Sequence, residues 1–308
     1  MALKVFHYQA HHNIIYKKYL QLLRRNPEDV DRVEDIPFLP ISFFKTHTVW
    51  SGPETSPEII FTSSGTTGSQ SRHHVAHLNV YVESSRRGFE HFYGPIKDWA
   101  VLALLPSYLE RNGSSLIYLA ADLIERSSRS DSGFFLYDHQ ALSEVLKRRE
   151  LEGKKTLLLG VSFALLDFSE KHPMPLRNTV VMETGGMKGR RQEMIREALH
   201  AELLEAFNLK SIHSEYGMTE LLSQAYSKGD GLFETPPWMQ IYVYDLEDPL
   251  TLLKSEHTGG VNVIDLANYR SCSFIATEDL GKITDKGRFQ ILGRFDFSDL
   301  RGCNLMAN

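Results

Sequence analysis

The chain has 308 residues, 42% of them hydrophobic and 24% charged, a composition that excludes a disordered chain and allows a sizeable core. Its net charge of −5 excludes an overall basic field that would draw it to nucleic acid or anionic lipid. Two cysteines, Cys272 and Cys303, and histidines soon after Met1 where a signal peptide would be apolar, place the expected compartment in the reducing cytoplasm.

In chain order, Phe6, Ala10, Ile14 and Ile15, then Tyr19, Leu22 and Leu23, recur at helical spacing and predict one amphipathic helix that Asn26-Pro27 stops. A connector punctuated by Pro37 and Pro40 follows. Beyond it, Glu58 to Thr62, Trp99 to Leu105, Lys155 to Leu159 and Thr179 to Met182 read as strands alternating with helical stretches, which predicts an α/β sheet. The longest apolar runs, Trp99 to Leu105 and Leu157 to Leu166, fall short of the roughly 20 residues that span a bilayer, so no membrane span is expected. After Gly189, Ile195, Leu199, Leu203 and Phe207 are four apart and predict a helix with one buried face. Ile241 to Tyr244 and Val261 to Ile264 predict a late β-rich portion.

Three short segments carry chemistry. The run Ser63-Ser64-Gly65-Thr66-Thr67-Gly68 follows a predicted strand, where glycines let backbone amides approach an oxyanion and hydroxyls add donors. The same composition also suits a plain Ser/Gly loop, and no Gly-Lys-Ser/Thr follows to make it a P-loop. The next basic residue is Arg72. The second segment, Tyr216-Gly217-Met218-Thr219-Glu220, sets a ring, a hydroxyl and a carboxylate close together, and Glu220 could hold Mg²⁺ bridging phosphates. Taken singly, Glu220 would be a surface carboxylate. The third pairs Asp279 with Arg294, a carboxylate and a guanidinium able to grip ribose hydroxyls, although Asp279 before Gly281 also reads as a turn.

In this order the three segments resemble the adenylate-forming superfamily of acyl-CoA synthetases, luciferases and peptide-synthetase adenylation domains, over about residues 60 to 302. The resemblance implies ATP and Mg²⁺, with Ser63 to Gly68 on the β- and γ-phosphates, Thr219 on phosphate and Glu220 on the metal. It also implies Gly185, Gly186 and the Tyr216-Gly217-Met218 stretch near adenine, and Asp279 with Arg294 on the ribose. Ile36 to Lys45, Leu105 to Arg111 and Leu300-Arg301-Gly302-Cys303 look closer still to the acyl-protein synthetase of the bacterial bioluminescence fatty-acid reductase complex.

That closer likeness implies activation of a fatty acid, acyl transfer to Cys303 and delivery to an acyl-CoA reductase-like partner. It implies a large α/β domain with layered sheets: an N-terminal helical and Pro-rich segment (1–50), an adenylate-forming core (51–295) and a mobile tail carrying the acceptor cysteine (296–308). The superfamily's C-terminal lid, with its catalytic lysine, is missing from this pattern, and Arg72 is a candidate for part of the charge that lysine supplies. Gly160, Val161 and Phe163, with Tyr108 and His213, are candidates for the acyl pocket, where each buried methylene contributes about 0.8 kcal/mol. A core strand and turn at 159–166, and a satisfied core histidine at 213, remain open alternatives. His73, His74 and His77 lack the carboxylate or cysteine partners of a zinc site and are expected at the surface or shielding substrate. Cys272 is expected inert inside a strand. Two other activities stay open: a CoA ligase similar to the phenylacetate-CoA ligases, and a non-catalytic nucleotide-binding docking subunit.

Overall fold

The computed structural model describes residues 1–52, 56–63, 70–105, 113–186, 194–284 and 286–295. Its helices are α1 (Ala2–His12), α2 (Ile14–Leu22), α3 (Phe43–Thr46), α4 (Leu78–Tyr93), α5 (Ser115–Ser127), α6 (His139–Leu151), α7 (Ser162–Lys171) and α8 (Arg196–Phe207). The strands begin with β1 (Leu39–Pro40), β2 (Ile59–Thr62), β3 (Arg72–Val75), β4 (Ala100–Leu104), β5 (Gly133–Phe134), β6 (Thr156–Gly160) and β7 (Thr179–Glu183). They continue with β8 (His213–Tyr216), β9 (Ala225–Ser227), β10 (Phe233–Glu234), β11 (Met239–Tyr244), β12 (Thr258–Asp265), β13 (Phe274–Ile283) and β14 (Phe289–Arg294). The described residues divide into two compact units, one within Met1–Glu58, Gly65–Ala76 and Pro237–Asn308, the other within Ile59–Ser64 and His77–Pro236.

In the first unit β11, β12, β13 and β14 form an antiparallel meander, and β1 joins β13 in parallel register with Leu39 opposite Ile275. The predicted opening helix is two helices. Asn13 breaks it with an extended backbone, and its side-chain oxygen accepts the Tyr16 amide at 2.9 Å to start α2. The Asn13 amide is fully buried and donates to Ser51 Oγ and the Ser271 carbonyl, which holds the break in place. The new phase leaves Ile14 and Leu22 exposed, whereas Phe6 and Tyr16 pack edge-on and stacked against Phe274. Cys272 lies in the loop before β13, not within a strand as expected. It is buried all the same, and burial pushes its thiol up to about 12.

In the second unit β5, β4, β6, β7 and β8 are parallel neighbours in that order, and β9 and β10 extend the sheet antiparallel beyond β8. Every residue of β4 and β6 is buried, the pattern of parallel strands covered on both faces, which accounts for their unbroken apolar runs. Helix α8 begins one residue later than its periodicity suggested: Ile195 is its exposed N-terminal flank, and Leu199, Leu203 and Phe207 form the buried face.

Candidate functional site

Several expected site residues, Ser64, Gly65, Thr66, Thr67, Gly68, Tyr108 and Cys303, lie outside the described residues. Ser63, Gly160, Val161, Phe163, Gly185, Gly186, His213, Tyr216, Gly217, Met218, Thr219 and Glu220 fall in the second unit; Arg72, Asp279 and Arg294 fall in the first. Each group is described within its own unit.

In the second unit β2 delivers the chain to a half-buried Ser63. The Thr62 amide just before it donates to the Gly113 carbonyl at 2.9 Å. Gly113 has φ +85°, and a Cβ there would stand 2.7 Å from the Ile60 carbonyl oxygen, so glycine alone allows this approach.

At the end of β7 the chain runs Glu183-Thr184-Gly185-Gly186, with φ +73° at Gly185 and +95° at Gly186. This left-handed pair is a turn without side chains, and its backbone is tied down on both sides. The Gly185 carbonyl accepts the Ser162 amide at 2.9 Å, and the Thr184 amide donates to Gly160 at 3.1 Å. Gly160 closes β6 and Val161 starts α7, both buried, while Phe163 is half-buried. A Cβ at Gly160 would meet the Leu165 side chain at 2.8 Å, so this segment is close-packed against its own helix.

The end of β8 carries Tyr216, buried and edge-on to Phe233 with ring centroids 6.0 Å apart. Gly217 is exposed, Met218 and Thr219 are half-buried, and Glu220 is only 6% exposed, so it is not the surface carboxylate its type alone suggests. His213, at the start of β8, faces Tyr93, whose hydroxyl lies 3.1 Å from His213 Nδ1. Burial, aided by the Lys228 charge, pushes its imidazole down to about 4, so it is neutral at pH 7.

In the first unit Asp279 sits in strand β13 and not in a turn, directly opposite Arg294 of β14. Asp279 Oδ1 lies 3.3 Å from Arg294 Nε, with Asp279 buried and the guanidinium more than half exposed. Arg294 also reaches Glu278 at 3.8 Å, and Lys45 approaches the same Glu278 oxygen at 3.8 Å. Arg72 is exposed on β3. Beside it, His73 is buried edge-on against Phe44, and burial and the Arg72 charge lower the His74 imidazole. Among the described residues no group of three or more His, Cys, Asp or Glu side chains gathers as a metal site would.

Two carboxylates stand out that spacing alone did not single out. Glu183 is buried, yet its carboxyl is held low, at about 2. Burial would raise it, but hydrogen bonds from His200 and Ser214, the Arg196 charge and the Gly185 amide outweigh that cost. On the next strand Glu215 goes the other way, pushed up to about 8 by burial and then by Glu183. One Glu215 carboxyl oxygen occupies the place where a side chain on Gly217 would stand. The available sequence signals were a carboxylate ahead of Gly-Gly at the end of an apolar strand, and a second carboxylate one residue before Tyr216.

Residues 1–104 match the family described as acyl-protein synthetase, LuxE. Over 97% of its length the chain is 24% identical to the long-chain-fatty-acid–luciferin-component ligase of Vibrio harveyi, covering 84% of that protein. Among solved structures it is similar to a 2-hydroxyisobutyryl-CoA ligase in complex with 2-HIB-AMP and CoA, with TM-score 0.70 and 12% identity over 96% of this chain and 67% of that one. It is also similar to ATP-bound MatB from Rhodopseudomonas palustris, with TM-score 0.57 and 17% identity over 79% of this chain and 50% of that one. The chain thus spans about half the length of that MatB structure. The resemblance to the acyl-protein synthetases is borne out, and the fold is that of the adenylate-forming ligases.

Proposed function

We propose that this chain is an acyl-adenylate-forming ligase that activates a fatty acid with ATP and passes the acyl group, through Cys303, to a partner reductase. The observation that carries this reading is the match along 97% of the chain to a ligase named for long-chain fatty acids. In the first step a carboxylate oxygen of the acid bonds to the α-phosphorus of ATP as the bond to pyrophosphate breaks. In the second the Cys303 thiolate bonds to the acyl carbon and AMP leaves.

Ser63, Ser64, Gly65, Thr66, Thr67 and Gly68 hold the β- and γ-phosphates, donating hydrogen bonds to charge that grows on the leaving pyrophosphate. Thr219 donates to phosphate. Glu220 suits a hard cation, since Mg²⁺ takes one or two carboxylates together with substrate oxygens, and the ion bound there would neutralise phosphate charge. Gly185, Gly186 and Tyr216 with Gly217 and Met218 face adenine, while Asp279 and Arg294 hold the ribose. Gly160, Val161 and Phe163, with Tyr108 and His213, wall the acyl group, and the neutral imidazole of His213 adds no charge there. Arg72 supplies positive charge toward the phosphates. A free thiol as acceptor suits the reducing cytoplasm, and no helix among the described residues is long and apolar enough to cross a membrane.

The test is acid-dependent ATP–pyrophosphate exchange over a panel of carboxylic acids, followed by incubation with ATP, Mg²⁺ and labelled fatty acid. Exchange driven by fatty acids, with hydroxylamine-sensitive label on the Cys303 peptide, is expected. Label appearing only as a CoA thioester would make the chain a CoA ligase. Nucleotide binding without exchange for any acid would make it a docking subunit.

A further inference from the structure

We propose that Glu183 is a positioning residue whose carboxylate fixes the Gly185–Gly186 turn in the shape that receives the nucleotide base. This rests on the adenine-facing reading of that turn given above. Glu183 closes β7, and its two oxygens divide their work. Oε2 accepts the Gly185 amide at 2.7 Å and stands 3.4 Å from Ser162 Oγ at the start of α7. Oε1 lies 3.4 Å from Arg196 Nε and 3.7 Å from His200 Nε2, both on α8. One side chain therefore joins the end of β7, the glycine turn, and the first turns of α7 and α8.

The turn needs such an anchor. Two successive left-handed glycines have the largest conformational freedom to lose and no side chains with which to pack. Among the described residues, a Cβ built on Gly185 would meet no atom within 4 Å, so no described side chain packs against the turn there to hold it by contact. Among the described residues it is held by the Ser162 amide on the Gly185 carbonyl and by the Glu183 carboxylate on the Gly185 amide. The Gly185 side of the turn is where a flat ring can lie.

The chemistry also calls for an ionised carboxylate. Gly185, Ser162 and Arg196 present donors, and a carboxylate accepts on both oxygens. Glutamine has nearly the same shape but offers one oxygen and one NH₂ group, so one side must set donor against donor. A buried ion cluster is in general no more stabilising than an apolar one of equal volume, so packing alone does not explain a carboxylate here.

The experiment compares Glu183→Gln and Glu183→Asp with wild type by amide hydrogen exchange of the 183–186 segment, by ATP binding calorimetry, and by KM for ATP and for acid in pyrophosphate exchange. In Glu183→Gln the Gly185 amide should exchange about tenfold faster and ATP affinity should fall about tenfold, the scale for one charge-assisted hydrogen bond. KM for the acid should stay within about twofold, and Glu183→Asp, which keeps the charge, should recover part of the loss. Should glutamine prevent folding, the aspartate variant carries the same comparison. Unchanged Gly185 exchange in a folded variant overturns the anchoring role whatever the nucleotide does. Faster exchange with unchanged ATP affinity shows that the turn does not face the nucleotide, which removes the site reading and the proposal with it. Equal rises in both KM values with a lowered melting temperature mean general destabilisation, and refute positioning.

Discussion

Glutamine in place of Glu215 should remove a pH dependence of stability that the wild-type second unit carries. Glu215 has its carboxyl raised from its ordinary 4.5 to about 8, by burial first and then by Glu183 on the adjacent strand. Below pH 4.5 folded and unfolded chains both hold the proton and nothing is lost. Between 4.5 and 8 the folded chain keeps a proton that the unfolded chain has released, so stability falls as pH rises, by up to about 1.4 kcal/mol per pH unit. From pH 6 to 8 the loss comes to about 2 kcal/mol, taken at the lower side because Glu215 retains some exposure. Glutamine supplies a neutral side chain of the same length at every pH, and groups common to both proteins cancel in the difference. The assay is urea unfolding of wild type and Glu215→Gln at half-unit pH steps, with a probe confined to the second unit. The two stability curves should diverge as pH rises, wild type falling relative to the variant. Curves that stay parallel from pH 5 to 9 would refute the reasoning.

Thr66→Ala and Glu220→Ala should each cut acid-dependent pyrophosphate exchange by roughly 10²-fold or more, the scale for losing a preorganised charge-stabilising group, and wild-type rates in folded variants would remove both from the site. Asp279→Ala, which strips Arg294 of its 3.3 Å partner, should weaken ATP binding about tenfold while kcat changes less, as read by calorimetry beside steady-state exchange. Gly260→Ala should destabilise the first unit by about 1 to 3 kcal/mol, because the added methyl would fall on the buried Tyr244 ring, whose hydroxyl is fixed to the Thr277 carbonyl at 3.0 Å. An unchanged melting temperature would show that ring free to move.

The buried parallel strands were legible because each is written in consecutive residues: the apolar runs of β4 and β6 are readable without knowing what lies across the fold. The carboxylate and guanidinium of Asp279 and Arg294 are visible as residue types in sequence, whereas their facing positions come from the register of β13 with β14. The features that escaped depend on distant partners. Nothing near Asn13 announces a helix break, since the groups that bury its amide, Ser51 and Ser271, are 38 and 258 positions away. Likewise Glu183 and Glu215 are ordinary glutamates in sequence, and their opposite ionisation follows from what α8 and the neighbouring strands bring to them. Cys272 misled differently: it stands two residues before β13 begins at Phe274, and burial came without a strand.

The pairing of Leu39 with Ile275, and of Gln9 with the carbonyls of Asn268 and Tyr269, has a consequence for the order in which the molecule is made. A ribosome releases the opening helices long before the strands they rest on exist. Phe38, Tyr16 and Phe6 must wait for Phe274, which emerges 236, 258 and 268 residues after them, and at about 5 to 20 residues per second that is a delay of roughly 10 to 50 s. The stretch from His77 to Pro236 contains nearly all of the second unit and can close in the meantime. Messages truncated between 240 and 270 codons should therefore yield chains whose central stretch resists protease while the first 50 residues are cut, and chaperones that bind exposed aromatic segments should be found on that end.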